Sequence, residues 1–349
     1  MSTLAALVAL LLGIGSIPQR SIPKAGADSV RVILMALESP REIEIRSAAP
    51  ITVDGGPGNG GSRSRLRLAA RGSLVELDGT TRSRLGLTTG SKPMIVLSGT
   101  RNRSTTGRLE ISAADGMLRL VAHVPLRDYL AGTLVSESNR GDPVEYLTAL
   151  SVLQHNYATI HRGRHGPDAD LCDNTHCQRY SLDGIGGAIY RAVDRGLHIE
   201  LGSKNALPCY YSVNCGGRTL TPFEVWGNPE SGYTSVLCAN CRSSRWYRWK
   251  RTIASTPEVE RLMRNAPSPP FVDDDFKIGV GRAIGFNVVL SNTVDRIVRR
   301  GRIYQVEGRG FGHRVGLCQD GARELARTGR DAAAILRHYF PRTHLRALE

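Results

Sequence analysis

Aromatic residues are scarce, at 6%, and no basic segment is interleaved with rings. That argues against nucleic-acid binding, which usually relies on stacking rings or a recognisable module. Long apolar runs are missing apart from Leu4 to Ile17, so a polytopic membrane protein is excluded. Acidic residues are the minority: Lys+Arg 46 against Asp+Glu 32 leaves +14 at pH 7. Such a balance favours a polyanionic partner, whether nucleic acid, anionic membrane or acidic polysaccharide. No second CxxC accompanies Cys238 and Cys241, so that pair alone is a weak pointer to zinc. What is present is ordinary for a globular protein. A hydrophobic fraction of 41% and a charged fraction of 22% exclude global disorder. The 349 residues suffice for one large domain or two ordinary ones.

The Leu4–Ile17 run is too short for a membrane span, which needs roughly 20 residues, and fits the apolar part of a secretory leader. No Lys or Arg precedes it, so a buried amino-terminal element is the competing reading. The expectation is export to the cell envelope or beyond, with residues 1–28 as leader and membrane contact only through an uncleaved leader. Seven cysteines fall as Cys172/Cys177, Cys209/Cys215, Cys238/Cys241 and a lone Cys318. In an exported chain such pairs read first as disulfides, which leaves Cys318 the unpaired thiol.

Residues 29–114 read as a strand-rich module, with strand-like pieces continuing to Val124. VRVILMA, EIEIRSA, SRLRLAA, SLVEL, PMIVLSG, RLEISA and MLRLVAHV alternate or run apolar, and DGGPGNGGSRS is a loop. Helical spacing starts at Pro125 with Leu126, Tyr129, Leu130 and Leu134. A second helix is expected behind Asp142 as N-cap, with Pro143 at its first position and Glu145 completing a capping box. Its buried face would carry Leu147, Leu150, Leu153, Tyr157 and Ile160. Further helices are predicted over 186–195, from Thr256, over 319–328 and behind Asp331. Strands are predicted at HIEL, PCYYSV and IYQVEG, and a loop at APSPPFVDDD. The order is α+β without regular βαβ alternation.

Four segments hold residues capable of chemistry. Glu137 follows a largely apolar helix, where partial desolvation raises a carboxyl toward general-acid duty; the plain alternative is a solvated helix-end glutamate. HGPDADLCDNTHCQ brings His165, Cys172, His176 and Cys177 together. Two thiolates and two imidazoles suit tetrahedral zinc, a Cys172–Cys177 disulfide competes, and unlinked loop residues are the third reading. Such a zinc ion has no open position and would be structural. GRGFGHRVGLCQDGA places His313 after glycines that permit close backbone approach, but lacks a dinucleotide spacing. In CYYSVNCGG, Tyr210 and Tyr211 point to opposite faces if the segment is a strand, one toward a core and one free to stack on a sugar.

Taken in order, VPLRDYLAGTLVSES, PVEYLTALSVLQHNYA, LCDNTHCQRY, YYSVNCGGRT and GFGHRVGLCQDGARELARTG resemble the SpoIID/LytB family of stage II sporulation D and amidase-enhancer proteins. The resemblance spans roughly 115 to 345 and implies that residues 115–349 form a SpoIID-like α+β catalytic domain behind the strand-rich module. It implies a lytic transglycosylase acting on peptidoglycan glycan strands, especially strands stripped of stem peptides. Glu137 is then the single general acid/base and makes 1,6-anhydroMurNAc ends. It also implies zinc at His165, Cys172, His176 and Cys177, and a glycan site that includes His155, Tyr210, Tyr211, His313 and Gln319. The competing role is a non-catalytic wall-binding enhancer of a cell-wall amidase. No nucleic-acid partner is expected.

The chain departs from the family pattern. Where the family's helix often reads QAVAARTYA, Leu150 and His155 replace Gln and Arg. Where its last motif often reads GHGVGMSQWGA, the chain has Arg314, Leu317, Cys318 and Asp320, while His313, Gly316, Gln319 and Gly321 hold.

Overall fold

The strand-rich start folds as two six-stranded sheets whose alternating apolar residues face one another. The computed structural model describes residues 29–54, 63–90, 92–202 and 207–348. One sheet runs, in spatial order, Leu171–Cys172, Ser29–Leu34, Met117–Pro125, Arg108–Ala114, Arg84–Thr88, Thr52–Val53. The other runs Thr80–Arg82, Leu74–Leu77, Arg65–Arg71, Glu42–Ser47, Met94–Ser98, Arg101–Thr105. Val30, Val32, Ile43, Ile45, Leu66, Leu68, Val75, Val96, Ile111 and Leu120 are buried between them, as the period of two requires.

Strand pairing continues past residue 114. Asp115 and Gly116, both at positive φ, form the two-residue turn that pairs Arg108–Ala114 with Met117–Pro125. The sheet therefore extends to Pro125, and helix α1 (Leu126–Glu137) leaves directly from it. The Leu4–Ile17 run and most of the DGGPGNGGSRS loop lie outside the described residues. Among the described residues no helix is long and apolar enough to cross a membrane.

Helix α2 (Val144–Ile160) is the hub of the helical part and buries most of its length, Ile160 excepted. Against it pack α1, α3 (Gly187–Gly196), and, after the short α4 (Pro222–Trp226), the late helices α7 (Gln319–Arg327) and α8 (Ala332–Tyr339). Asp142 does not cap α2. Its carboxylate accepts from the Asn139 N–H at 2.8 Å and pairs with Arg323, so the helix opens at Val144 behind Pro143. Glu145 likewise serves Arg195 and the Ala332 N–H. The caps expected at Thr256 and Asp331 form, accepting from Val259 N and Ala334 N.

Between Trp246 and Phe311 the chain builds a second core. Arg248–Ala254, Ile303–Arg309, Thr293–Arg300 and Phe271–Val272 make a four-stranded sheet, with α5 (Pro257–Asn265) and α6 (Asp274–Ile284) bringing Val259, Phe276 and Val280 against Trp249, Val294 and Val306. The expected loop APSPPFVDDD in fact ends in a strand and the α6 cap, Asp273, which accepts from Phe276 N at 2.8 Å. Pro and Asp dominate that segment because they are entry residues of elements as well as loop residues.

Close packing joins α1 to the segment behind Cys177. A Cβ at Gly132 would lie 2.6 Å from the Tyr180 ring and 3.0 Å from the Ser181 carbonyl oxygen. Gly132→Ala is expected to cost about 1–3 kcal/mol through overpacking, read as a lower urea midpoint. An unchanged midpoint would mean that α1 and this segment do not pack this way.

Candidate active site and metal centre

Glu137 is the last residue of α1 rather than a residue beyond it, because the helix runs one turn further than its apolar spacing indicates. The side chain is half-buried. Burial raises its pKa above the ordinary carboxyl value, opposed in part by Arg179, by a hydrogen bond from Gln319 and by Arg323. The negative end of the α1 dipole acts in the same direction as burial. Among the described residues, the polar groups acting on this carboxyl include no second carboxylate. Asp142 and Asp320, both nearby, are paired with Arg323.

Three elements bring the other groups in. The first is α7. Gln319 Nε2 donates to the Glu137 carbonyl oxygen at 3.3 Å and Arg323 Nη2 at 3.4 Å, one helical turn apart on one face. Arg323 is 8% exposed, also bridges Asp142 and Asp320, and stacks its guanidinium on the Tyr146 ring. The second is the short strand Tyr211–Ser212. The Tyr211 ring feels the Glu137 charge, and its hydroxyl accepts from Gln154 of α2 at 3.4 Å. The hydroxyl of Tyr146 and Oε1 of Gln154 are buried with no hydrogen-bond partner among the described residues. The third is the segment Gln178–Arg179, with Gln178 Oε1 held by the Tyr129 hydroxyl at 3.1 Å.

The predicted strand PCYYSV shrinks to Tyr211–Ser212, and the two tyrosines lie in different surroundings. Tyr210 turns away into an aromatic cluster with Trp226, Tyr233 and His313, and its hydroxyl donates to Glu230 at 3.2 Å. His313 is enclosed by this cluster; its Nδ1 accepts the Val315 N–H, and burial lowers its pKa to about 4, so it is neutral. His155 sits in the second half of α2. Burial, helped by Arg162, lowers its pKa to about 4, and no described contact joins it to Glu137. A neutral imidazole there does not supply the cation of an arginine. Of the sequence-derived candidates, Gln319 bonds Glu137 and Tyr211 lies within reach of its charge, whereas Tyr210, His313 and His155 are described in other surroundings. Arg179, Arg323, Gln154 and Tyr146 were not singled out from sequence; the i, i+4 spacing of Gln319 and Arg323 is the signal that points to one of them.

The glycines of GRGFGHRVG approach protein rather than ligand. A Cβ at Gly316, at φ +73, would lie 2.1 Å from the Tyr210 carbonyl oxygen, and one at Gly310 would lie 2.6 Å from that of Asn214. These contacts dock the last motif onto the tyrosine strand.

The His/Cys segment is clustered. His165 Nε2 lies 3.3 Å from Cys177 Sγ, and His176 Nδ1 lies 3.7 and 3.6 Å from the sulfurs of Cys172 and Cys177. The four donor atoms fall within 4.8 Å of one another. A tetrahedral zinc ion with bonds of roughly 2.0–2.3 Å separates its donors by roughly 3.3–3.8 Å, so these residues fit. Adjacent ligands are possible because the chain turns on Asn174, whose side chain accepts from His176 N and whose carbonyl accepts from Cys177 N. Both cysteines are free thiols. Cys172 is held well below the ordinary thiol value, chiefly by a hydrogen bond from Cys177. The loop is anchored to the sheet module: Leu171–Cys172 adds in parallel to Ser29–Leu34, and Asp173 accepts from Met35 N and Arg103.

The expected cysteine pairing is not what the structure presents. Cys209 stands apart, its thiol donating to the Leu207 carbonyl, while Cys318 joins Cys215, Cys238 and Cys241.

Fold and site together define an α+β protein with one half-buried glutamate at a helix end, flanked by polar and aromatic groups from three separate segments. Residues 114–195 match the family model of the stage II sporulation protein SpoIID, and the chain carries a SpoIID domain there. That domain ties it to a cell-wall-related role. It covers α1, α2, the His/Cys loop and nearly all of α3. The chain is also similar to an uncharacterized protein of Brachyspira hyodysenteriae, 26% identical over 250 residues, which is 63% of this chain and 66% of that protein.

Proposed function

We propose that the protein is a peptidoglycan lytic transglycosylase that acts on denuded glycan strands with Glu137 as its only general acid/base. The observation carrying this reading is a half-buried carboxyl of raised pKa, bonded by Gln319 and under the influence of Arg179, with no second carboxylate acting on it among the described residues. A hydrolase of glycosidic bonds ordinarily needs two carboxyl groups, one of them to activate water or attack the sugar. Intramolecular attack by the C6 hydroxyl of MurNAc needs one. Glu137, protonated, donates to the leaving oxygen of the MurNAc–GlcNAc bond; its carboxylate then accepts the hydroxyl proton, and the product carries a 1,6-anhydro end. The bared lactyl carboxylates of denuded strands suit a chain of net charge +14. Tyr211 offers a ring for a sugar face, and export brings the enzyme to this substrate.

His165, Cys172, His176 and Cys177 would hold a zinc ion, which with four protein ligands would supply structure only. It would clip the loop that precedes Gln178 and Arg179, the second of which acts on the Glu137 carboxyl.

Mass spectrometry of products from denuded strands tests the proposal. Anhydro-ended fragments are expected. Reducing ends alone would mean hydrolysis, and binding without cleavage, together with stimulation of a cell-wall amidase, would mean an enhancer instead.

Arg179 gives a second test with a defined sign. Its charge lowers the Glu137 pKa. In Arg179→Ala that pKa rises, so the alkaline limb of the pH–rate profile should move to higher pH, and KM for denuded strands should rise. An unmoved limb would show that Arg179 does not act on the carboxyl.

A further inference from the structure

We propose that Cys215, Cys238, Cys241 and Cys318 form a second metal centre, a closed tetrathiolate zinc site. The four come from three segments distant in sequence: the turn after Tyr211–Ser212, the single 3-10 turn at Ala239–Cys241, and the N-cap of α7. Each is at most 1% exposed. Their sulfurs lie within 4.8 Å of one another, with Cys215 and Cys241 at 3.6 Å. Four sulfurs bonded at roughly 2.3 Å to a tetrahedral zinc lie roughly 3.8 Å apart. Two disulfides would draw the sulfurs into pairs. Here the four sulfurs lie within 4.8 Å of one another and all four cysteines are free.

The surroundings suit thiolates. Cys215 N donates to Cys318 Sγ at 3.3 Å, and the Tyr339 hydroxyl lies 3.2 Å from Cys238 Sγ. Such outer hydrogen bonds orient metal ligands. Cys318 sits at the positive end of α7, which favours a thiolate. Arg314, 3% exposed, donates to the Cys215 carbonyl at 2.7 Å and brings a buried positive charge beside a site whose four thiolates and one Zn²⁺ sum to −2. Gly321 leaves room for the sulfurs: a Cβ there would fall 2.4 Å from Cys238 Sγ.

This gives two departures from the family-like motif a common purpose. Cys318 completes the ligand set and Arg314 offsets its charge. The consequence is positional: the metal ties the tyrosine strand to the residue before Gln319. Binding exchanges four thiol protons for one Zn²⁺, with no change of oxidation state.

The test is metal content and X-ray absorption on the full chain, made in zinc-supplemented medium and purified without chelator. The double variant Cys172→Ser/Cys177→Ser, which removes the other ligand set, is expected to keep one zinc with a sulfur-only shell. Cys318→Ser is expected to lose one zinc relative to the unsubstituted protein. If a variant fails to fold, the unsubstituted protein decides, because more than two sulfurs per zinc on average requires the second site. A double variant free of zinc, two sulfurs per zinc in the unsubstituted protein, or recovery of these four cysteines as disulfides would overturn the proposal. None of these readouts depends on glycan cleavage, so the two proposals fail separately.

Discussion

Glu137→Gln is expected to lower glycan-strand cleavage by roughly 10²–10⁴-fold, the usual worth of a positioned general acid, while making the folded protein more stable at neutral pH. Both effects have one cause. Burial raises the Glu137 pKa in the folded chain. A group of raised folded pKa adds stability that is complete below its unfolded value, near 4.5, and is lost as pH rises through the folded value. Above the unfolded value the folded chain therefore bears the cost of a carboxyl whose charged form burial disfavours. Glutamine is neutral throughout and keeps the side-chain shape. Its advantage should be absent in acid and grow toward neutral pH. Thermal unfolding of both proteins across pH 4 to 8 measures this. A variant no more stable than the parent at pH 7 would mean that the carboxyl is not desolvated, and full activity in the variant would remove it from the mechanism.

The second large effect is expected at Arg323. Its guanidinium, buried under the Tyr146 ring, holds Asp142, Asp320 and the Glu137 carbonyl oxygen together. Arg323→Ala leaves Asp142, 9% exposed, without its cation. Removing one partner of a buried pair costs roughly 3–5 kcal/mol, mostly through the charge left behind. Adding Asp142→Asn to that variant removes the stranded charge and should restore a substantial part. A denaturant series on the two single variants and the double gives the coupling. Additive losses would show that the pair does not interact, and a small loss in Arg323→Ala would show that the site is wetter than the packing indicates. Arg323→Lys should not substitute, since an ammonium cannot hold three acceptors in the fork a guanidinium provides.

Much of the sheet module is legible along the chain because a half-buried strand writes its own period of two. Ser29–Leu34, Glu42–Ser47, Arg65–Arg71 and Arg108–Ala114 all follow from alternation. The strand Arg101–Thr105 does not, since a short polar strand leaves little pattern, and in Arg84–Thr88 only Leu85 and Leu87 mark the buried face. The caps at Thr256 and Asp331 were readable because each hydrogen bond is made three residues away. Asp142 defeated the same reasoning because a residue 181 positions along the chain takes its carboxylate.

The site divides in the same way. The clustering of His165, Cys172, His176 and Cys177 was visible because one short loop contains all four. The tetrathiolate cluster was not, because Cys318 reaches it from a distant segment and Cys209, nearer in sequence to Cys215, points elsewhere.

By itself, then, the sequence determined the local quantities: charge, strand alternation, helix faces, one compact donor set and a glutamate behind an apolar helix. Only the tertiary structure decided that Gln319 and Arg323 bond that glutamate, that Arg179 acts on its charge, and that Cys318 has three sulfur neighbours. The reason is physical. Periodicity and capping act over three or four residues, whereas desolvation of a carboxyl and convergence of thiols depend on which distant segments pack together.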